Sequence, residues 1–426
     1  MRTFLAGSPR WRRLAAGAAV LVLMAGVGAA YLIPRAVARE PSVTVPLLAL
    51  ALAVKLGGTV MRFVMLELVF QGGDAHAYHL AGETNYHLVR ALDFSFIQDP
   101  YFGTDFLEDS VAFVYAVTGP SMAGGFLVFS MLSFVGTWLF YRAHRIAFPD
   151  GDSRLYFLVL FLLPTMAFWP SSLGKDSLIV FGLGLGTYGV ARLLQRVSPS
   201  ALLQMAIGVA VAFGVRPAVG VMFLFGAGVA FLAHPGRLRS PLARPITLVF
   251  LGPLVAVALV ASLEVASTYE NLPNINSAVE EYVATRERLL ESGGSEISGP
   301  APTTPAGFGQ AVFTVLFRPL PWELSDPLAV IAGLESVVIV VLVLGRLGPG
   351  IRALRRRWRG GMVLMALIVS LSLIVPLTAV SNFGLLVRQR AQLLPFLFMV
   401  LTAVRRSPRM ASRPAVQPAQ AAATSG

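Results

Sequence analysis

The sequence predicts an all-α polytopic integral membrane protein with about eleven transmembrane helices. Of its 426 residues, 56% are hydrophobic and only 13% are charged, whereas soluble domains carry about 25% charged residues. Apolar runs of about 20 residues, the length that spans a bilayer core as a helix, recur along the chain. The composition and the repeated runs together exclude an ordinary soluble protein.

The apolar runs divide the chain into candidate spans and polar segments. The spans lie near 14–33, 43–69, 111–141, 155–171, 176–194, 201–215, 218–233, 245–263, 327–345, 361–380 and 391–404. We interpret 1–413 as one membrane domain and 414–426, which is rich in Ala, Pro and Gln, as a disordered cytoplasmic tail. Glycines 182, 184 and 186 lie inside a span, where small residues favour close helix packing.

The distribution of arginine predicts which side of the membrane each connection faces. Short cytoplasmic connections retain Lys and Arg. Arginine-rich groups occur in alternate connections, at 142–154, 192–196, 237–244, 346–359 and 405–409. The two long polar segments, 71–110 and 264–326, are therefore expected on the external side of a multi-pass protein of the bacterial inner (plasma) membrane.

The N-terminus leaves two arrangements open. Arginines precede and follow the first apolar run, at positions 10–13 and 35–39. Either the first helix has its N-terminus outside, or residues 1–40 form a hairpin that does not cross. The run also resembles a signal peptide ending near 29–30, and we expect an uncleaved first helix.

Several chemistries are excluded by what the sequence lacks. Without cysteine there is no disulfide, no Fe–S cluster and no cysteine nucleophile. A phosphate-binding glycine loop and a Gly-x-Ser-x-Gly elbow are also missing. The net charge of +12 rests mainly on arginine. In a membrane protein this charge indicates orientation and contact with anionic membrane lipids, as at 352–359, and we expect no nucleic-acid partner.

Polar residues that collect on the predicted external face form the candidate site. Ionisable groups at a membrane edge are costly and therefore mark functional sites. The candidates are Asp74, His76, Tyr78, His79, Lys175, Asp176, Arg216, Arg318, Glu323, Asn382, Arg388 and Arg390. Asp74 follows two glycines, where the backbone can approach a ligand closely and the carboxylate has no evident structural duty.

Structural explanations compete with this interpretation. A lone external arginine can extend to lipid headgroups. Lys175 and Asp176 can form a local ion pair that closes a turn. Arg318 and Glu323 can form a salt bridge of their own beside Trp322.

A metal site is a weaker alternative at the same position. Asp74, His76 and His79 offer oxygen and nitrogen ligands within six residues, with His87 further on. Their spacing matches no zinc motif. No cofactor and no structural metal are therefore predicted, although a divalent cation held weakly by Asp74 beside a phosphate stays open.

One carboxylate among several arginines and a lysine suits a phosphate-bearing lipid. The basic side chains hold phosphate oxygens and offset the charge on a leaving group, and the carboxylate deprotonates an acceptor hydroxyl. Transfer of a sugar from a polyprenyl phosphate requires this combination. Asp74 is thus the predicted catalytic base, and the other candidates are predicted to bind substrate.

The same residues resemble a known family. The segment Phe70-Gln-Gly-Gly-Asp74-Ala-His-Ala-Tyr78, the turn Trp169–Asp176 and Asn382-Phe-Gly followed by Arg388-Gln-Arg390 resemble the external motifs of bacterial GT-C-type membrane glycosyltransferases, which use polyprenyl-phosphate-linked sugars. The resemblance spans roughly 43–404 and implies a GT-C-like fold with a long first external loop that carries the catalytic acid. The chain departs from the family where Ala75 follows Asp74, since many members carry paired acids there.

The predicted function is transfer of a sugar from a polyprenyl-phosphate-linked donor to a glycan, lipid or protein acceptor on the external face. Two alternatives are a polymerase of lipid-linked polysaccharide repeat units, which would make ladders of products, and a flippase or transporter of a polar lipid. The absence of an internal repeat disfavours the transporter. The scarcity of charged residues deep in the spans also disfavours the transporter. The exceptions are Lys55, Arg62 and Glu67, which lie in one span. Arg62 and Glu67 are predicted to pair locally or to face the bundle.

Overall fold

The computed structural model describes residues 43–70, 73–97, 102–234, 305–323, 327–378 and 383–405, and every regular element within them is helical. The α-helices are α1 (Val45–Val64), α2 (Asp74–Arg90), α3 (Thr104–Thr118), α4 (Met122–Ala147), α5 (Ser153–Leu162), α6 (Pro164–Phe168), α7 (Lys175–Gln195), α8 (Pro199–Val215), α9 (Pro217–Ala233), α10 (Pro305–Phe317), α11 (Pro327–Arg357), α12 (Met362–Thr378) and α13 (Phe383–Thr402). A π-helical segment, Met65–Phe70, extends α1, and short 3-10 turns occupy Pro321–Glu323 and Trp358–Gly360. The predicted spans at 14–33 and 245–263, residues 264–304 and the tail 414–426 lie outside the described residues.

Within the described ranges, five helices are long and apolar enough to cross a membrane. They are Val45–Val69, Met122–Ala147, Lys175–Gln195, Val330–Gly360 and Phe383–Thr402. Shorter apolar helices, among them α8, α9 and most of α12, pack beside them. The chain is thus an all-helical protein of membrane-embedded character, as its composition predicts, while the total of eleven spans remains a prediction.

The predicted span at 111–141 requires a correction, because α3 ends at Thr118 and α4 begins at Met122. Gly119 has a φ of +80°, a conformation that favours glycine, and Pro120 cannot donate a backbone hydrogen bond. Ser121 then caps α4 by accepting a hydrogen bond from the amide of Gly124 at 3.2 Å. The polar segment 71–110 is also mostly helical, since it contains α2 and the start of α3, which pack against each other.

The helix α7 lies in the core between α4 and α8. A Cβ atom on Gly184 would lie 2.1 Å from the carbonyl oxygen of Gly136, and one on Gly208 would lie 2.2 Å from the amide nitrogen of Gly186. The glycines therefore allow the backbones to touch, which confirms the predicted packing role of this glycine-rich span. The helix α13 packs against α7, α11 and α12, and this arrangement places its first turns beside the start of α7.

Candidate functional site

Asp176 is the buried centre of a charged cluster at one end of the helices. It is the second residue of α7, and its side chain is only 3% exposed. Its Oδ1 accepts a hydrogen bond from Nη2 of Arg216 at 3.2 Å, and its Oδ2 accepts one from Nε of Arg388. Arg216 lies where α8 ends and α9 begins, and Arg388 lies on α13. One carboxylate thus joins elements that are far apart in sequence.

Asp74 is the exposed carboxylate of the same cluster. It opens α2 directly after Gly73, whose φ of +130° favours glycine. Its Oδ2 lies 3.9 Å from Nη1 of Arg388, and its side chain is 67% exposed. Arg388 therefore lies between a buried carboxylate, Asp176, and an accessible one, Asp74.

Lys175 and Tyr78 complete the surroundings of Asp74. Lys175 interacts electrostatically with Asp74, Arg216 and Arg388, and its Nζ donates to Oγ1 of Thr104 at 2.9 Å. The predicted alternative of a local pair with Asp176 is thus replaced by a contact with α3. Burial, followed by the negative charge of Asp74, raises the pKa of Tyr78 to about 12. Its hydroxyl therefore stays neutral near pH 7 and can donate a hydrogen bond.

Arg62 belongs to this cluster, and sequence reasoning missed it. Its guanidinium carbon lies 5.1 Å from the ring centre of Phe168 and 4.9 Å from that of Trp169, within range of a cation–π contact. It also interacts electrostatically with Asp176 and Arg388. The expected pairing with Glu67 is not observed, whereas the alternative that Arg62 faces the bundle agrees with these contacts. In the sequence, the adjacent aromatic residues Phe168 and Trp169 were the one sign of a stacking partner for an arginine.

The two candidate histidines of α2, His76 and His79, contact residues other than Asp74 and Asp176. Nε2 of His76 lies 3.4 Å from Oε1 of Glu67, which is inside the π-helical segment. Nδ1 of His79 is hydrogen-bonded to the hydroxyl of the buried Tyr115 at 2.8 Å. These contacts tie α2 to α1 and to α3. Across the described part of the chain, no three His, Asp or Glu side chains are grouped so that they could hold a metal ion.

Arg390 points away from the cluster, because residues two positions apart on a helix lie on nearly opposite faces. Its side chain is fully buried. Nη1 donates to Oγ of Ser336 at 3.2 Å, Nη2 donates to the carbonyl oxygen of Arg318, and the carboxylate of Glu335 supplies an opposite charge. Glu335 in turn accepts hydrogen bonds from the amide and the hydroxyl of Thr165, at 2.8 and 2.7 Å. This second network joins α6, α11 and α13.

Arg318 and Glu323 belong to the second network. Nε of Arg318 donates to Oε1 of Glu323 at 2.8 Å, and the guanidinium lies 5.3 Å from the ring centre of Phe383. The alternative of a salt bridge between these two residues, beside Trp322, is confirmed. The structure therefore assigns Arg318, Glu323 and Arg390 to contacts that fix the segment before α11. Asn382, the remaining candidate, lies outside the described residues.

The cluster defined by Arg62, Asp74, Tyr78, Lys175, Asp176, Arg216 and Arg388 has the chemistry of an anion site. Four basic side chains meet two carboxylates, and the buried carboxylate of Asp176 is already shared by two guanidiniums. Such a group can bind a phosphate and still keep an accessible carboxylate next to it. Comparison with known proteins finds no family model, no curated protein and no solved structure that matches the chain.

Proposed function

We propose that the protein is a membrane glycosyltransferase that moves a sugar from a polyprenyl-phosphate-linked donor to a glycan, lipid or protein acceptor on the external face of the membrane. The observation that carries this proposal is the pair formed by Asp74 and Arg388. An exposed carboxylate lies 3.9 Å from a guanidinium whose position is fixed by the buried Asp176. This accessible carboxylate and this fixed guanidinium are the groups that we propose as the base and as a phosphate ligand.

In the proposed reaction, Asp74 is the general base. The acceptor hydroxyl oxygen attacks the anomeric carbon of the sugar and forms the new glycosidic bond. The bond from that carbon to the phosphate oxygen breaks, the hydroxyl proton moves to Asp74, and polyprenyl phosphate leaves with the bonding electron pair. The 67% exposure of the Asp74 side chain leaves room for an acceptor to approach it.

The basic residues stabilise the phosphate as negative charge develops on the leaving group. Arg216 and Arg388 are oriented in advance by Asp176, so little reorganisation is needed when the charge appears. Lys175 and Arg62 add positive charge on either side of these two residues. The neutral hydroxyl of Tyr78 is available to donate a hydrogen bond to a phosphate or sugar oxygen.

The position of the cluster suits a lipid-linked donor. Asp74, Lys175 and Arg216 each lie at a helix end, next to the apolar helices that are long enough to span a membrane. The end of α1 and the π-helical segment after it present exposed apolar side chains, including Val60 and Leu68 at 57% and 71% exposure. A polyprenyl chain can lie along this surface while its phosphate meets the arginines.

The experiment that tests this proposal uses the purified chain in liposomes, supplied with a polyprenyl-phosphate-sugar fraction and with an acceptor fraction, both extracted from the cells that produce the protein. Release of free polyprenyl phosphate, measured by mass spectrometry, is expected for the wild type and for Asp93→Asn, which removes a fully exposed carboxylate of the same segment. A loss of at least about a hundredfold is expected for Asp74→Asn, as for removal of a general base. Movement of the intact donor across the bilayer without bond cleavage would contradict the proposal.

A further inference from the structure

A cavity lies at the opposite end of the molecule from Asp74. It has a volume of about 450 Å³ and is lined by Ile146, Arg192 and the connection 195–199 between α7 and α8. The helix α7 contains 21 residues, from Lys175 to Gln195, which corresponds to a length of about 30 Å. The cavity is therefore separated from the Asp74 cluster by about the thickness of a bilayer core.

Arg192 is held in a fixed position in this cavity by neutral groups. Its Nη1 donates to Oε1 of Gln204 at 2.8 Å, and its Nη2 donates to Oγ of Ser200 at 3.1 Å. Its guanidinium carbon also lies 5.7 Å from the ring centre of Tyr188. A guanidinium has five N–H donors. These contacts orient the side chain and leave donors for a further partner, and no carboxylate among the described residues forms a salt bridge with it.

Among the described residues, the charged side chains that line the cavity are those of Arg192 and Arg196. Arg196 directly follows the last residue of α7, and its side chain is exposed. Arg142 approaches the ring of Tyr188 at 5.8 Å. The residues that line the cavity include no carboxylate, and Ile146, Val197 and Pro199 give it apolar walls. A ligand that matches these walls and charges combines a negatively charged group with an apolar part.

We propose that this cavity binds the phosphate group of an anionic lipid headgroup in the leaflet at this end of the helices. Arginine pairs hold phosphate oxygens through charge-assisted hydrogen bonds. The arginine distribution assigns this end to the cytoplasmic side, where anionic lipids concentrate and basic pockets between helices bind their headgroups. The proposal is independent of the glycosyltransferase function, because no residue of the Asp74 cluster takes part in it.

The test is lipid retention by the full-length protein, measured by native mass spectrometry after reconstitution with phosphatidylglycerol and phosphatidylcholine. The variant Arg192→Gln/Arg196→Gln is compared with Arg154→Gln/Arg405→Gln, which removes the same charge from two exposed positions, in the first turn of α5 and just after the end of α13. Each cavity arginine is expected to contribute about fivefold to retention of phosphatidylglycerol, so the cavity variant should lose about 25-fold. The control variant should retain the lipid nearly as well as the wild type.

Two further measurements identify the source of the phosphate that the cavity binds. Arg196→Gln alone changes an exposed side chain at a helix end, and it should fold normally and lose about fivefold. Inorganic phosphate added in excess should not displace the lipid, because it lacks the apolar part. The proposal is overturned if both double variants lose the lipid equally, or if inorganic phosphate competes as well as the lipid does.

Discussion

The guanidinium of Arg388 donates to the carboxylate of Asp176 across 212 positions of sequence, and the same guanidinium lies 3.9 Å from Asp74. This relationship links the structural and the proposed catalytic parts of the molecule. Asp176 is buried and cannot meet a substrate directly, but it determines where Arg388 and Arg216 stand. Asp74 is exposed, and in the proposed reaction it acts as a base beside the fixed guanidinium of Arg388.

Neutralising Asp176 should reduce stability as well as activity. In Asp176→Asn, two largely buried guanidiniums lose their shared counter-charge, which is expected to cost about 3 kcal/mol of unfolding free energy. Thermal unfolding in detergent measures this change. The double variant Asp176→Asn/Arg216→Gln should recover part of the loss, since it removes one of the unpaired charges. If the double variant loses as much unfolding free energy as the two single variants lose together, the shared ion pair is contradicted.

Removing the charge of Arg62 should weaken donor binding. Arg62→Met retains an extended apolar side chain against Phe168 and Trp169 but removes the guanidinium. Loss of one charge-assisted contact to phosphate is expected to raise the apparent KM for the lipid-linked donor roughly tenfold. The control is Arg90→Met, which removes a guanidinium that also lies over an aromatic ring, that of Tyr86, on the far end of α2. Equal effects in both variants would contradict a specific role for Arg62.

Arg390 should matter for folding in a way that differs from the proposed ligands. Arg390→Met leaves Glu335 buried without its counter-charge, and a cost of about 3–5 kcal/mol is expected. The yield of folded protein, measured by size-exclusion chromatography, should fall sharply. Arg390→Met/Glu335→Gln should restore much of it. A stable Arg390→Met protein that lacks activity would instead place Arg390 in the reaction.

The glycine contacts in the core give a prediction with a matched control. Gly184→Ala places a methyl group 2.1 Å from the carbonyl oxygen of Gly136, so α4 and α7 must separate, at an expected cost of about 1–3 kcal/mol. Gly345→Ala adds the same atom in α11 where no atom lies within 4 Å. When both are measured in the same detergent, Gly184→Ala should have a lower unfolding temperature than Gly345→Ala. Equal unfolding temperatures would show that α4 and α7 are not in close contact.

The buried carboxyl of Asp109 should make stability depend on pH. Burial, followed by the charges of Asp105 and Glu108, raises the pKa of Asp109 to about 6. The folded protein therefore holds this proton more tightly than the unfolded chain does. The stabilisation is complete below about pH 4 and is lost as the pH rises through about 6. In Asp109→Asn, the unfolding free energy should fall by about 1–2 kcal/mol less than in the wild type between pH 4 and pH 7. If the unfolding free energy depends on pH equally in the variant and in the wild type, the assignment to Asp109 is contradicted.

The sequence predicted much of the candidate site because charged residues at helix ends are visible in a hydrophobic sequence. Asp74, Lys175, Asp176, Arg216 and Arg388 were all expected at one end of the helices, and the structure brings them together. Their pairing could not be predicted, since it depends on how α7, α9 and α13 pack. The local Lys175–Asp176 pair was the simplest alternative in sequence. In the packed helices, Asp176 instead forms salt bridges with Arg216 and Arg388.

Rotation about a helix axis explains the other differences. Arg388 and Arg390 look equivalent in sequence, but they face different neighbours on α13. Arg62 and Glu67 look like a local pair, but the chain changes to a π-helix after Val64, and Glu67 lies beside His76 instead. The break at Gly119 was missed because the surrounding residues are apolar enough to resemble one continuous span.

The measurement that tests the central claim most directly is mass spectrometry of lipid-linked and surface glycans from cells that express wild-type protein, Asp74→Asn or Asp93→Asn at equal levels. We expect that only the cells with Asp74→Asn lack a sugar in the surface glycan and accumulate the unreacted polyprenyl-phosphate-linked donor. Loss of one discrete sugar would indicate a single-sugar transferase, and shortened ladders would indicate a polymerase. Unchanged glycans in Asp74→Asn cells would contradict the catalytic role of Asp74 and favour transport of a polar lipid.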